Sequence, residues 1–453
     1  MKVIKFGGSS LASAEQINKV LDIIKQDNSR RIVIVSAPGK RHDNDTKVTD
    51  ALIEYYNSYI TDQSLIEHQN WLIKRYEDII SELKLSQSLL NDISESIRGL
   101  SELPKENNPY LFDHFLASGE NNNAKLIASF LQKNGLKAKY LHPKDAGIIV
   151  KGSSCNAQLL SSSYSKINKI KNETTIQVIP GFFGVTEDDN ICTFSRGGSD
   201  ITGSIVAAGI HADLYENFTD VDGIFVAHPG IVKKPQSIEE LSYKEMRELA
   251  YAGFSVLHDE ALIPAYRGKI PIVIKNTNNP KHPGTKIILE HQNKNLPVVG
   301  IASDDKFISI NLSKYLMNRE VGFGRKVLQI LEDLNIRWEH MPTGIDDMSI
   351  VIRERELTPI KEREIINRLN RELEVDEVDI IRNLSIIMIV GENMKSHVGV
   401  TSKATKAFSD KNINIAMISQ GASEVSVLFI INKSEEKKAI QALYDTFFNI
   451  KKH

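Results

Sequence analysis

The stretch Lys2-Val3-Ile4-Lys5-Phe6-Gly7-Gly8-Ser9-Ser10, at the very start of the chain, decides the fold. Lys2 to Phe6 reads as a short strand ending in a Gly-Gly turn. Leu11, Ile17, Val20, Leu21 and Ile24 then recur near helical spacing. Glycines let backbone N–H groups approach an anion without side-chain obstruction, and a helix N-terminus favours negative charge. Lys5 adds a mobile positive charge. The lysine precedes the glycines, unlike the Gly-x-x-x-x-Gly-Lys-Ser/Thr phosphate loop. By itself the turn fits a plain strand–helix connection with an exposed lysine equally well.

The same rhythm continues outward. Ile32-Val33-Ile34-Val35 is a buried-type strand closed by Ser36-Ala37-Pro38-Gly39. Apolar spacing predicts helix through most of 50–103, a helix over 121–133, and strands at Ala138–Leu141, Thr175–Ile179, Leu214–Phe218 and Pro271–Ile274. Ser118-Gly119-Glu120 is expected to open the 121–133 helix. Ser199-Asp200 is expected to open another, with Ile201, Ile205, Val206 and Ile210. Alternating strands and helices define an α/β fold: an open, mostly parallel sheet sandwiched by helices, with ligands beyond the carboxyl ends of the strands.

Near residue 297 the order of elements changes. Strand Phe307–Leu312, helix Gly322–Leu334, strands Arg337–Met341 and Met348–Arg353, helix Pro359–Leu373 and strand Val375–Ile381 spell β-α-β-β-α-β. A second series runs Leu384–Gly391, Val398–Asp410, Ile413–Ile418, Val425–Ile431 and Ser434–Phe447, a repeat visible in element order rather than in identical residues. The second series lacks a last strand, and a segment near Val298–Ala302 is expected to take that place. The expected division is 1–296 for the open sheet and 297–453 for two α+β ferredoxin-like units. The first unit would span about 304–382 and the second about 297–303 plus 383–453.

A chain of 453 residues has room for two to four domains. Its net charge of −2 gives no global pull toward nucleic acid or an anionic membrane. Cys155 and Cys192 sit in dissimilar contexts, which speaks against a disulfide framework or a cysteine zinc site and fits a reducing compartment. No apolar run approaches the roughly 20 residues that span a bilayer. A cytoplasmic protein is expected. The histidines show no metal-ligand spacing.

Four further stretches could carry chemistry. In Arg196-Gly197-Gly198-Ser199-Asp200 the arginine could hold a carboxylate through two parallel hydrogen bonds, or the segment could simply cap a helix. Glu120 could balance a helix dipole or receive an ammonium group. Thr219-Asp220-Val221-Asp222-Gly223 follows a strand and could leave room for ribose and base, although Asp-Gly is also an ordinary turn pair. Pro180-Gly181-Phe182-Phe183-Gly184 is a turn that could bring backbone close to a substrate.

Taken in order, these motifs resemble the aspartate kinases of the amino-acid kinase fold, in a monofunctional form like that of Gram-positive bacteria. The tail is similar to that family's tandem ACT amino-acid-sensing units, so the resemblance covers nearly the whole chain. It implies ATP-dependent phosphorylation of the L-aspartate side chain. Lys5 and Asp200 would be catalytic, with Asp200 orienting Lys5 at the transferring phosphoryl group. Ser36, Thr49, Glu120, Arg196, Gly197, Gly198 and Ser199 would hold aspartate, Arg196 on a carboxylate and Glu120 on the ammonium. Lys5, Gly7, Gly8, Ser9, Thr219, Asp220, Phe225, Gly230, Ser255 and Val256 would face ATP, which brings Mg²⁺; no metal site made by the protein is implied. Phe225 stands where many relatives have tyrosine, and Gly230 and Ser255 where they have arginine and lysine. Lys5 is therefore expected to carry more of the positive charge facing ATP.

In the tail, Met317, Gly322, Phe323, Glu339 and Asp346 fall near the loop and first helix where ACT units bind amino acids, and Ser419–Glu424 is the matching loop of the second unit. The resemblance implies feedback by lysine, with threonine as a further effector, and a homodimer through the ACT units that could extend to a tetramer. Three alternatives stand beside this reading: a tail that only dimerises, another carboxylate kinase of the fold such as acetylglutamate kinase, and a catalytically silent amino-acid sensor.

Overall fold

The computed structural model describes residues 1–453 apart from 196, 255, 291–295 and 450–453. The chain forms two compact units: Met1–Ile224, Ser237–Arg247 and Ser255–Gln292 make the first, and Phe225–Gln236, Glu248–Phe254 and Asn293–His453 the second.

In the first unit the strands lie in the order Glu240–Ser242, Thr285–Ile288, Ile272–Asn276, Leu214–Thr219, Lys2–Phe6, Arg30–Val35, Ile176–Pro180, Ala138–Tyr140. Neighbours run parallel, except that Ile272–Asn276 and Thr285–Ile288 are antiparallel. Val3, Ile4, Phe6 and all of Ile32–Val35 are buried, as continuous apolar runs are when helices cover both faces of a sheet. Helix Ala14–Lys25 starts at Ser13, whose hydroxyl accepts the Gln16 N–H, and turns Ile17, Val20, Leu21 and Ile24 into the core.

The helical stretch expected over 50–103 is three helices, Val48–Ile60, Ile66–Glu82 and Gln87–Gly99. The helix expected to open at Ser118-Gly119-Glu120 runs Leu111–Lys133 instead, so these residues lie in its interior. Glycine weakens a helix and so reads as a break. Here it serves a close approach: a Cβ on Gly119 would come 2.9 Å from the Ala37 Cβ. A short hairpin, Phe183–Val185 with Ile191–Thr193, is too brief to show in periodicity.

The second unit holds an antiparallel sheet in the order Asp347–Arg353, Gly300–Ser313, Glu377–Val390, Ser426–Asn432, Met417–Gln420. Two of these strands are long and serve both halves. Gly300–Asp304 pairs with Ile386–Val390, while Phe307–Ser313 pairs with Glu377–Leu384 and also with Asp347–Arg353. Val375–Ile381 and Leu384–Gly391, expected as separate strands, thus form one continuous strand that passes Asn383 at φ +58°. Arg337–Met341 forms no strand. Only an isolated bridge from His340 to Val351 remains, and Pro342, which has no N–H, follows directly. Helices Phe323–Asp333 and Pro359–Leu373 cover Ile308, Ile310, Ile350 and Ile352. The second pair, Val400–Ser409 and Glu436–Phe447, packs around contacts such as Phe408 on Phe429.

Candidate active site

Strands Lys2–Phe6, Arg30–Val35 and Leu214–Thr219 run parallel and end at one edge of the sheet. Beyond that edge lies a cleft of about 710 Å³, bordered by the turns after these strands and by the N-terminus of helix Gly198–Gly209. Of the residues picked out in the sequence, Lys5, Gly8, Ser9, Ser36, Thr49, Glu120, Gly197, Gly198, Ser199, Asp200 and Asp220 line it.

Lys5 sits at the floor, largely buried, with its Nζ 2.6 Å from Asp200 Oδ1. Asp200 belongs to the first turn of helix Gly198–Gly209. The N-cap of that helix is Gly197, whose φ of +76° only glycine adopts freely, and no side chain among the described residues caps it. Its first N–H groups therefore face the cleft as an anion site. The helix expected to open at Ser199-Asp200 opens at Gly198 instead, so both residues lie inside it. Phe182, a cleft residue at φ +77°, holds strained backbone against this turn, and a Cβ on Gly198 would come 2.4 Å from its ring.

Gly8 and Gly39 meet backbone to backbone. The Gly39 N–H donates to the Gly8 carbonyl at 2.8 Å, and a Cβ on Gly39 would come 2.5 Å from the Gly8 carbonyl carbon. The Gly7 N–H is spent on the Phe218 carbonyl at 3.0 Å. Gly7, expected to face ATP, thus commits its N–H to the neighbouring strand, while Gly8 and Ser9 reach the cleft.

Glu120 lies across the cleft and is buried, with Oε2 unpartnered among the described residues. Burial pushes its carboxyl up to about 7, against the pull of the Ala37 N–H, its own N–H and the Lys5 charge. One turn on, Asn123 donates from Nδ2 to the Ser36 carbonyl at 2.6 Å. Positions 120 and 123 of one helix thus hold the N–H and the carbonyl of the single peptide group joining Ser36 to Ala37.

The sequence reading missed the loop that walls the cleft. Arg75, 2% exposed, donates to Asp45 Oδ2, the Gly39 carbonyl and the Ala12 carbonyl. Arg41 binds the same carboxylate through Nε and Nη2 and holds it well below the usual carboxylate range. This clasp fixes a turn that presents Lys40, His42 and Lys47 to the cleft. Lys40 and Lys47 were invisible as site residues because nothing local in the sequence says where the loop points.

Other expected residues lie elsewhere. Thr219 ends its strand and its hydroxyl donates to Asp220, while Val256 sits in a bend outside the cleft. Phe225 and Gly230 belong to the second unit. Arg196 and Ser255 fall outside the described residues. Among the described residues no three His, Cys, Asp or Glu side chains gather as a metal-holding group, and no helix is long and apolar enough to cross a membrane.

In the second unit, Met317 and Phe323, expected near the effector loop, pack into the core. Glu339 is engaged by Arg353 Nε at 2.9 Å and by the Tyr251 hydroxyl. Asp346 accepts the Leu316 N–H at 2.8 Å, while Gly322 opens its helix toward free space. The loop expected in the second half does border a cleft of about 240 Å³, where Gln420 and Glu424 face Lys395, His397, Thr401 and Ser402 at the start of helix Val400–Ser409.

Fold and cleft together define an amino acid kinase fold followed by a C-terminal region built on an antiparallel sheet. A family model described as the amino acid kinase family matches residues 1–276, and an ACT domain model matches residues 387–447. Aspartokinase 3 of Bacillus subtilis is 51% identical over 448 residues, spanning 99% of both chains. The crystal structure of Clostridium acetobutylicum aspartate kinase superposes with a TM-score of 0.87 at 38% identity, covering 99% of this chain and all of that one. At the level of fold alone, E. coli aspartokinase III matches with a TM-score of 0.77 at 22% identity over 99% of this chain and all of that one. The chain belongs to the aspartate kinases of the amino acid kinase family.

Proposed function

We propose that the chain transfers the γ-phosphoryl group of ATP to the side-chain carboxylate of L-aspartate, giving 4-phospho-L-aspartate, the first step toward lysine, threonine and methionine. The observation that carries this reading is that one cleft holds two poles. A lysine–carboxylate pair stands at a glycine turn, and a buried glutamate oxygen has no partner among the described residues. The first pole suits a phosphoryl group and the second an ammonium group.

The acceptor carboxylate, with a reference pKa of about 3.9, is already ionised at neutral pH and needs no general base. One of its oxygens bonds to the γ-phosphorus, the bond from that phosphorus to the bridging oxygen breaks, and the electron pair leaves with ADP. No proton moves. The obstacle is repulsion between anions, so catalysis is positioning and charge neutralisation. Lys5 meets the transferring phosphoryl oxygens, Asp200 aims Lys5, and the open N-terminus of helix Gly198–Gly209 adds partial positive charge. Glu120 takes the substrate ammonium, with Ser36, Thr49 and Ser199 beside it and Arg196 assigned to a carboxylate. Lys40 and Lys47 add cations at the cleft wall. Asp220 and Thr219 are assigned to the nucleotide. Mg²⁺ would arrive on the nucleotide and spread the phosphate charge.

For the C-terminal region we assign two ACT units, about 304–382 and about 297–303 plus 383–453, with the strand pairing of Gly300–Asp304 on Ile386–Val390 in support. These units would bind lysine, or threonine, and join two copies of the chain. Lysine should raise the melting temperature and lower turnover. No response to lysine, threonine or methionine would leave the tail as a dimerisation element. Light scattering that gives a monomer mass would remove the dimer.

A further inference from the structure

Asn217 was singled out by nothing in the sequence. It is the register partner of Lys5 on the adjacent parallel strand and is 1% exposed. Its Nδ2 donates to Asp200 Oδ1 at 2.9 Å, and that is the oxygen Lys5 Nζ meets at 2.6 Å. The amide oxygen of Asn217 has no partner among the described residues. A buried amide satisfied at one end only is costly, so the bond it does make must matter at this position. The amide orientation is itself set by Asp200, because the reverse orientation would put two oxygens face to face.

We propose that Asn217 is a positioning residue of the phosphoryl-transfer site: it pins the Asp200 carboxylate so that Lys5 stays aimed at the transferring group. The inference rests on the aspartate-kinase reading above. When Lys5 engages the phosphoryl group, its hold on Asp200 weakens. The hydrogen bond from Asn217 then keeps the carboxylate from rotating, while the Tyr215 hydroxyl holds the Asp200 carbonyl at 3.3 Å. An aliphatic residue cannot donate that bond, and a carboxylate would repel Asp200.

The test is steady-state kinetics on the full chain for Asn217→Leu, Asn217→Asp, Asn217→Ser, Asp200→Asn and the double variant Asn217→Leu with Asp200→Asn, each checked by thermal melting. Asn217→Leu should lower kcat by about 10–100-fold with the aspartate KM within about threefold, since misaim costs rate rather than binding. Asn217→Asp, which keeps the shape, should lose at least as much, and Asn217→Ser, a smaller donor, should recover part. In the Asp200→Asn background, Asn217→Leu should cost less than about threefold more, because the two residues act as one unit. An unchanged kcat in Asn217→Leu and Asn217→Asp would overturn the inference, as would equal losses with and without Asp200. The shape-preserving variant decides the matter if the leucine variant fails to fold. A wild-type chain that makes no aspartyl phosphate would defeat the proposed function, whereas a working wild type with an indifferent Asn217 would defeat only this inference.

Discussion

Glu120 and Glu339 are both largely buried glutamates, one in each unit, and they differ in how their charge is met. Glu339 is closed: Arg353 and the Tyr251 hydroxyl bind it, and Arg353 also reaches Asp304 at 2.7 Å. Glu120 is open: Oε2 has no partner among the described residues, and burial pushes the carboxyl up to about 7. An unpaired buried charge is costly, so a fold keeps one where a ligand completes it. A satisfied network fixes structure, whereas an unsatisfied one awaits a partner. That contrast is what the proposed substrate role of Glu120 rests on, while Glu339 is held by partners of its own unit.

The largest effect that could break this contrast is at the other pole of the open site. Lys5→Ala should lower kcat by roughly 10³-fold or more with the melting curve retained, because neutralising the phosphoryl charge is most of the catalysis. Glu120→Gln should follow. It should raise the aspartate KM by about 100-fold through loss of a charged contact, with kcat changed less. Its stability effect has the opposite sign. The Glu120 carboxyl sits at about 7 in the fold, above its ordinary 4.5, so its contribution is full below 4.5 and is lost as pH rises through 7. The ligand-free Glu120→Gln variant should therefore gain melting temperature over wild type between pH 5 and 8, and a constant difference across that range would contradict the assignment. Aspartate binding near pH 6 should release a proton, measurable by calorimetry in buffers of different ionisation enthalpy.

Glu339→Gln should do the reverse of Glu120→Gln. Weakening a closed network should destabilise the second unit by about 1–3 kcal/mol at all pH values near neutrality, read by denaturant melting. A gain there would erase the distinction drawn between the two glutamates. The smallest effect expected is at Lys47, an exposed wall residue. Lys47→Ala should raise the ATP KM by a few-fold, or about 1 kcal/mol, and more at low salt than at high.

Much of this was legible in the sequence where the signal is local. The strand Lys2–Phe6 with its glycine turn and the Gly197-Gly198 turn leading into a helix are patterns within a few residues, and the switch in element order near residue 297 shows in the succession of elements. What was not legible depends on contacts between distant positions. Arg75 reaches Ala12 and Asp45, and Asn217 reaches Asp200, in ways no periodicity encodes. Glu120 was found for its residue type but placed at a helix start, because Gly119 reads as a break until the neighbouring Ala37 turn is seen against it. That Met317 and Phe323 pack into the core was likewise not legible, because loop proximity does not say which side chains turn inward.

The most direct test of the central claim is acyl-phosphate trapping by hydroxylamine with the purified chain, ATP, Mg²⁺ and L-aspartate. The account predicts aspartyl hydroxamate that depends on both ATP and aspartate, is absent with N-acetylglutamate as the acceptor, and is abolished by Lys5→Ala. No hydroxamate from aspartate, or undiminished product from Lys5→Ala, would contradict it.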